Sequence, residues 1–137
     1  MIEAAGTLRE INGIPNNLEI IKIGSKLIKI GEVTKQKEIL LSKSSSHKKR
    51  IFYLFSDKLI YCDLSKGFKG LFSVPSIRIS DENTTTFKLH VQLGKVNKCY
   101  FIACGNEMVK KDWLVAFHDC LQSKSIKSSL FFKVRHH

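Results

Sequence analysis

The strongest constraint on the fold is a change of hydrophobic period. From Lys26 onward apolar residues recur at every second position, most clearly in Phe87, Leu89, Val91 and Leu93, with Lys88, His90 and Gln92 between them. A two-residue period sends alternate side chains to opposite faces of a strand, one dry and one wet. Turn chemistry interrupts the pattern at Ser56-Asp57, Ser65-Lys66-Gly67, Asp81-Glu82-Asn83 and Gly94 to Asn97. The spacing predicts strands over Leu27–Lys37, Arg50–Phe55, Lys58–Asp63, Gly70–Val74, Ser76–Ile79, Thr86–Leu93 and Lys98–Cys104. Short strands with such regular breaks form an antiparallel sandwich or barrel.

One helix follows the strands. Asn106 is a fitting N-cap and Glu107 suits the positive end of the helix dipole. Val109, Trp113, Ala116, Phe117, Cys120 and Leu121 then fall on one side. That stripe needs an apolar partner, and the sheet before it is the large one on offer. The fold class is therefore mainly β with one C-terminal α-helix, a strongly bent antiparallel sandwich or barrel capped by the helix. Phe52, Leu54, Trp113 and Phe117 are the expected structural core.

The flanks differ from this body. In residues 1–25, Ile2, Ala5, Leu8 and Ile11 recur at steps of three until Gly13 and Pro15, which predicts the end of an upstream helical domain followed by a linker. Residues 26–123 make the main domain. Residues 124–137 form a basic tail in which Leu130-Phe131-Phe132 is the apolar exception, and His136-His137 reads as a tag remnant. Between the first two strands, Glu38 to Lys49 reads as a flexible basic loop, with Ile39, Leu40 and Leu41 able to prolong the first strand.

Charge narrows the partners. The 137 residues carry 23 Lys and Arg against 12 Asp and Glu, a formal net charge of +11, with 43% hydrophobic residues. That composition suits one folded domain with an anionic partner. Between Lys22 and Arg50 nine Lys or Arg stand against Glu32 and Glu38 alone, so the excess is concentrated around one strand pair. Lysines break every apolar run before it reaches the roughly 20 residues needed to span a bilayer, and any membrane contact is expected to be peripheral. Cys62, Cys99, Cys104 and Cys120 lack metal-site spacing and read as reduced cytosolic thiols; no metal and no cofactor are expected.

No catalytic signature is present: G-x-S-x-G, H-E-x-x-H and G-x-x-x-x-G-K-[ST] are all missing. The segment Lys66-Gly67-Phe68-Lys69-Gly70-Leu71-Phe72 begins like an RNA-binding RNP1 motif but carries Lys69 and Gly70 where a small residue and an aromatic are required. The order of elements also disagrees with that fold, so nucleic acid is not an expected partner.

The informative cluster lies across the first turn. Lys35 and Lys37 end the first strand two residues apart, and Lys48 and Arg50 begin the second with the same spacing, so a hairpin brings these cations together on one face. Lys49 and the loop residues Lys43 and His47 add to the field. Such a concentration of like charge invites a multiply phosphorylated anion, which answers several cations at once through charge-assisted hydrogen bonds.

The run Lys48-Lys49-Arg50-Ile51-Phe52-Tyr53-Leu54-Phe55-Ser56-Asp57-Lys58-Leu59-Ile60-Tyr61, followed about fifty residues later by the helix with Trp113, resembles a pleckstrin homology (PH) domain over Leu27 to Gln122. A basic residue late in strand one, K-x-R at the start of strand two, an aromatic-x-Leu core and a helical Trp occur here in the family's order. The resemblance implies a seven-stranded bent sheet and phosphoinositide ligands at Lys35, Lys37, Lys48, Arg50, Tyr61 and Lys69. Leu27 to Val33 and the Leu-Phe-Ser-Asp-Lys-Leu-Ile-Tyr run are similar to PH domains that follow a Dbl-homology (DH) domain in Rho guanine nucleotide exchange factors. This implies an adjacent DH domain, a Rho-family GTPase as partner, and a cytoplasmic protein peripheral to the inner face of the plasma membrane or another phosphoinositide-bearing membrane. The alternative is a module of the same fold that contacts a GTPase or restrains the exchange domain without meaningful lipid binding.

Overall fold

The computed structural model describes residues 10–14, 25–37 and 47–136, the side chains of Lys37 and of residues 122–136 excepted. Seven strands, β1 (Leu27–Lys37), β2 (His47–Phe55), β3 (Lys58–Cys62), β4 (Phe68–Ser73), β5 (Ile77–Asp81), β6 (Thr86–Leu93) and β7 (Val96–Ala103), precede a helix, α1 (Glu107–His136). All pair antiparallel in one sheet of order β4-β3-β2-β1-β7-β6-β5. A 3-10 turn at Val74–Ser76, with Pro75 near its start, carries the chain from β4 to β5. Residues 34–37 of β1 pair with residues 100–103 of β7, and this short ladder joins the two meanders.

Local chemistry accounts for the corners. In the β3–β4 turn Lys66 adopts φ +67°. Asp63 makes this tolerable: its Oδ1 accepts from Ser65 N at 3.0 Å, Ser65 Oγ at 2.7 Å and Gly67 N at 2.8 Å. These bonds, Ser65 first and then Gly67, hold the Asp63 carboxyl below its ordinary pKa despite the opposing desolvation. At the start of α1, Asn106 Oδ1 accepts from Val109 N at 2.8 Å. Lys110, itself buried, donates to Asp81 Oδ1 at 2.7 Å and to the Asn83 carbonyl at 2.8 Å, so the first turn of α1 is fastened to the β5–β6 turn.

The main core lies between the inner face of the sheet and α1. Trp113 is fully buried, with its ring edge-on to Phe52 at 5.8 Å and 5.9 Å from Phe117. Leu54, Leu59, Phe87, Leu89 and Ile102 complete this cluster. A methyl on Gly31 would stand 2.9 Å from Trp113 Cζ2, so the indole lies against bare β1 backbone.

The structure corrects two expectations. The first half of the sheet has no wet face at its centre: Phe52, Tyr53, Leu54 and Phe55 are all buried. On the outer side Tyr53, Phe55, Ile60 and Cys62 form a second cluster, covered by Ile11 and Ile14. The second correction concerns what covers it. Residues 10–14, at the end of the segment expected to be helical, form a short strap in which Asn12 bridges Gly67 in parallel. Asn12 N donates to Lys66 O at 2.8 Å, and Phe68 N donates to Asn12 O at 2.7 Å. The β3–β4 turn thus offers backbone partners that a helical turn at Ile11 and Asn12 would forgo. The remainder of residues 1–25, apart from Ser25, lies outside the described residues, as does the 38–46 connection with Lys43 and the Ile39-Leu40-Leu41 run. At the other end the backbone of α1 runs on through the basic tail to His136.

Candidate anion-binding site at the open end of the sheet

The β1–β2 register builds the site. Lys35 stands directly opposite Lys48, and Val33 opposite Arg50. Opposed residues share a face, so Lys35, Lys48 and Arg50 lie on the inner face, the one that further along carries buried Val33 and Phe52. Lys37, two residues beyond Lys35, holds the same register parity and pairs with Tyr100 of β7. The inner face is therefore apolar under α1 and cationic at the opposite end.

Aromatic rings make the transition. Phe52 pairs with Tyr61 of β3, which pairs with Gly70 of β4. A methyl on Gly70 would collide with the Tyr61 phenol, so the glycine leaves the room in which that ring lies. Tyr61, Phe72 and Tyr100 form a row, with ring centroids 5.1 and 6.2 Å apart. Lys35 Nζ sits between the two tyrosines, 4.9 Å from the Tyr61 ring and 4.8 Å from the Tyr100 ring. Cation–π attraction on both sides holds this ammonium at the rim of the core.

Arg50 supplies the second fixed element. One Nη donates to the Lys49 carbonyl at 3.2 Å, while Nε is buried and has no hydrogen-bond partner among the described residues. A buried donor on a charged group without an acceptor is unfavourable, and an oxyanion relieves it. Burial lifts the Tyr61 hydroxyl above its ordinary pKa, Tyr100 adds to the rise, and Arg50 opposes it. The phenol therefore stays protonated at neutral pH and is available to donate.

The remaining candidates are distributed differently. Lys48 is exposed at the mouth of the site. His47 and Lys49 face Gln36 and Thr34, have the opposite parity, and point to the outer face. Lys69 does not join the inner group. The β3–β4 ladder shifts register between Tyr61 and Cys62, leaving Lys69 as the extra residue, and its Nζ lies 3.9 Å from Asp63 Oδ2. Sequence reasoning missed Tyr100, whose role depends on the β1–β7 ladder; its alternation with Ile102 marks it as inward-facing but does not reveal what it meets.

The family model for the PH domain matches residues 21–122. Among solved structures, the DH/PH domains of p115-RhoGEF align with TM-score 0.62 at 14% identity, covering 78% of this chain and 33% of that one. PDZ-RhoGEF DH/PH domains in complex with GTP-gamma-S activated RhoA align with TM-score 0.61 at 12% identity, over 72% of this chain and 30% of that one. The human ARAP2 N-terminal PH domain aligns with TM-score 0.56 at 18% identity, over 71% of this chain and 81% of its own. No curated protein sequence matches. This chain spans about a third of the length of the DH/PH structures it resembles. With the family model covering the strands, the start of α1 and the inner-face cations alike, the chain belongs to the PH domain family.

Proposed function

We propose that this domain binds phosphoinositide head groups on an anionic membrane surface and thereby positions or regulates an adjacent Rho-family guanine nucleotide exchange domain. The carrying observation is the inner-face cluster: Lys35 clamped between Tyr61 and Tyr100 opposite Lys48, beside an Arg50 whose buried Nε lacks a partner. Lys35 and Arg50 provide the fixed donors, exposed Lys48 an adaptable one, and Tyr61 a phenolic O–H, with Lys37 next along β1 on the same register parity. Lys69 contributes once an anion competes with Asp63 for it. Residues 1–25 are the end of a DH domain and its linker, and the setting is the cytoplasmic face of the plasma membrane. The described residues contain no helix long and apolar enough to cross a membrane, in keeping with peripheral attachment.

Co-sedimentation with vesicles containing a few per cent phosphoinositide tests this reading. Lys48→Gln with Arg50→Gln is expected to abolish binding at 0.1 M salt; undiminished binding by that variant, or none by the wild type at low salt, would overturn it. A second reading is favoured by the DH/PH resemblance, one partner of which was solved with RhoA. There the domain touches the GTPase or the exchange domain without lipid. Its signature is a change in exchange rate in lipid-free solution when this domain is deleted from a longer chain.

A further inference from the structure

The dry face of the β6–β7 hairpin does not end where the core ends. On β6 the inward residues Phe87, Leu89 and Val91 are buried, and the next in the alternation, Leu93, is 41% exposed. On β7 the inward residues Ile102 and Tyr100 are buried. Beyond them come exposed Lys98, which faces Val91, and Val96, which faces Leu93 and is 54% exposed. The hairpin thus carries an apolar pair and a cation past the core on the face that holds Lys35. Gly94, at φ +62°, and exposed Lys95 form the two-residue turn that closes it. Neither Lys95 nor Lys98 forms an ion pair among the described residues, and the chain has no Asp or Glu between Glu82 and Glu107.

The β1–β7 register fixes where this tip stands. Ile102 faces Lys35 and Tyr100 faces Lys37, so β7 continues from Tyr100 to Val96, about 14 Å at strand rise, past the inner-site cations. The first turn of α1 is fastened at the other end of the same strands, to the β5–β6 turn. A single exposed apolar residue is ordinary on a protein surface. Here two face each other at a projecting tip, beside two uncompensated lysines and in line with a site for anionic head groups. That combination suits a bilayer interface, where apolar side chains enter and ammonium groups reach back to the phosphates.

We propose that the β6–β7 tip is a bilayer anchor: Leu93 and Val96 enter the interfacial layer of an anionic membrane, and Lys95 and Lys98 pair with its lipid phosphates. The anchor rests on the phosphoinositide reading of the inner site for its orientation, but it uses other residues and needs no phosphoinositide. A tryptophan at the tip reports entry directly. With vesicles of phosphatidylserine and acyl-chain-brominated phosphatidylcholine, Val96→Trp is expected to be quenched. Val115→Trp, on the exposed side of α1, and the fully buried native Trp113 are expected to stay unquenched. Equal quenching of the two variants, or none in Val96→Trp, would overturn the anchor.

Co-sedimentation with phosphatidylserine vesicles measures what each part contributes. Leu93→Ser with Val96→Ser is expected to weaken binding about tenfold, since each side chain has about half its surface left to bury. Lys95→Gln with Lys98→Gln is expected to weaken it about thirtyfold. Unchanged binding by either double variant would overturn the anchor. Soluble inositol trisphosphate, followed by the amide shifts of the 15N-labelled chain, separates the anchor from the inner site. Its binding is expected to be lost in Lys48→Gln/Arg50→Gln and kept in Leu93→Ser/Val96→Ser. Loss in the latter would show a disturbed inner site and overturn the anchor. A wild type that ignores the trisphosphate while Val96→Trp is quenched would uphold the anchor and remove the inner-site reading.

Discussion

Burial governs the chemistry of the thiols. Cys62, Cys104 and Cys120 are buried and unbridged, and desolvation pushes each thiol up to about 11. At pH 8 so little thiolate remains that reaction of these three thiols with Ellman's reagent, read in a Cys99→Ser variant that removes the half-buried fourth cysteine, is expected to be about a hundredfold or more slower in the folded chain than in urea. The same shift has a stability consequence. A thiol raised in the folded state favours folding fully below the unfolded value near 8.5, and that contribution is lost as pH rises through about 11. Folding stability is therefore expected to fall across that interval, and less steeply in Cys104→Ala. The glycine at the helix contact makes a separate prediction: Gly31→Ala presses a methyl against Trp113 and is expected to cost about 1–3 kcal/mol in urea unfolding. Unchanged stability there would show that the indole has room to retreat.

At the scale of elements, the β2–β3 hairpin and the strap carry testable structure. Lys58 is buried beside Asp57 at 2.9 Å, and Ser25 Oγ donates to the same carboxylate at 2.8 Å. Burial works against the charged Asp57, yet the bonds from Lys58 and Ser25 outweigh it and leave the carboxyl below its ordinary pKa. A lowered carboxyl contributes stability above the unfolded value near 4 and loses it as pH falls through the folded value. Asp57→Asn, which strands a buried ammonium, is expected to cost about 2–4 kcal/mol at pH 7 and to flatten the acid limb of the stability profile. The strap is tested by Ile11→Ala. The side chain is 6% exposed on the outer cluster, and its loss is expected to cost about 2 kcal/mol. The strap's conformation was hidden from sequence reasoning because steps of three among Ile2, Ala5, Leu8 and Ile11 describe a helix as readily as a chain whose last apolar residue docks elsewhere. What decided it was the β3–β4 turn, more than fifty residues away, whose carbonyl and amide receive Asn12. Strands such as β1 and β6 were legible to the residue because their alternation is local.

Across the whole molecule, fold and ligand binding draw on different forces, and salt separates them. The inner-face cations were legible as a pair of two-residue spacings, and the β1–β2 register placed Lys35 against Lys48. Tyr100 and the diversion of Lys69 to Asp63 were not, since one requires the long-range β1–β7 ladder and the other a bulge. The fold rests on two apolar clusters, which ions do not screen. Binding rests on charge: four cations at about 1 kcal/mol each near an anionic surface amount to roughly millimolar affinity. Screening shortens from about 10 Å at 0.1 M salt to about 3 Å at 1 M, which leaves exposed Lys48 with little reach while Lys35, between two rings, keeps more of its field. Vesicle binding is accordingly expected to disappear between 0.1 and 1 M NaCl. Over the same range Tm should hold or rise slightly, because salt relieves the self-repulsion of a chain at net charge +11. Binding that persists at 1 M would transfer the main role from the cations to apolar contact with the bilayer, and a parallel fall in Tm would mean that the ion pairs of Lys58 and Lys110 support the fold more than the apolar clusters do.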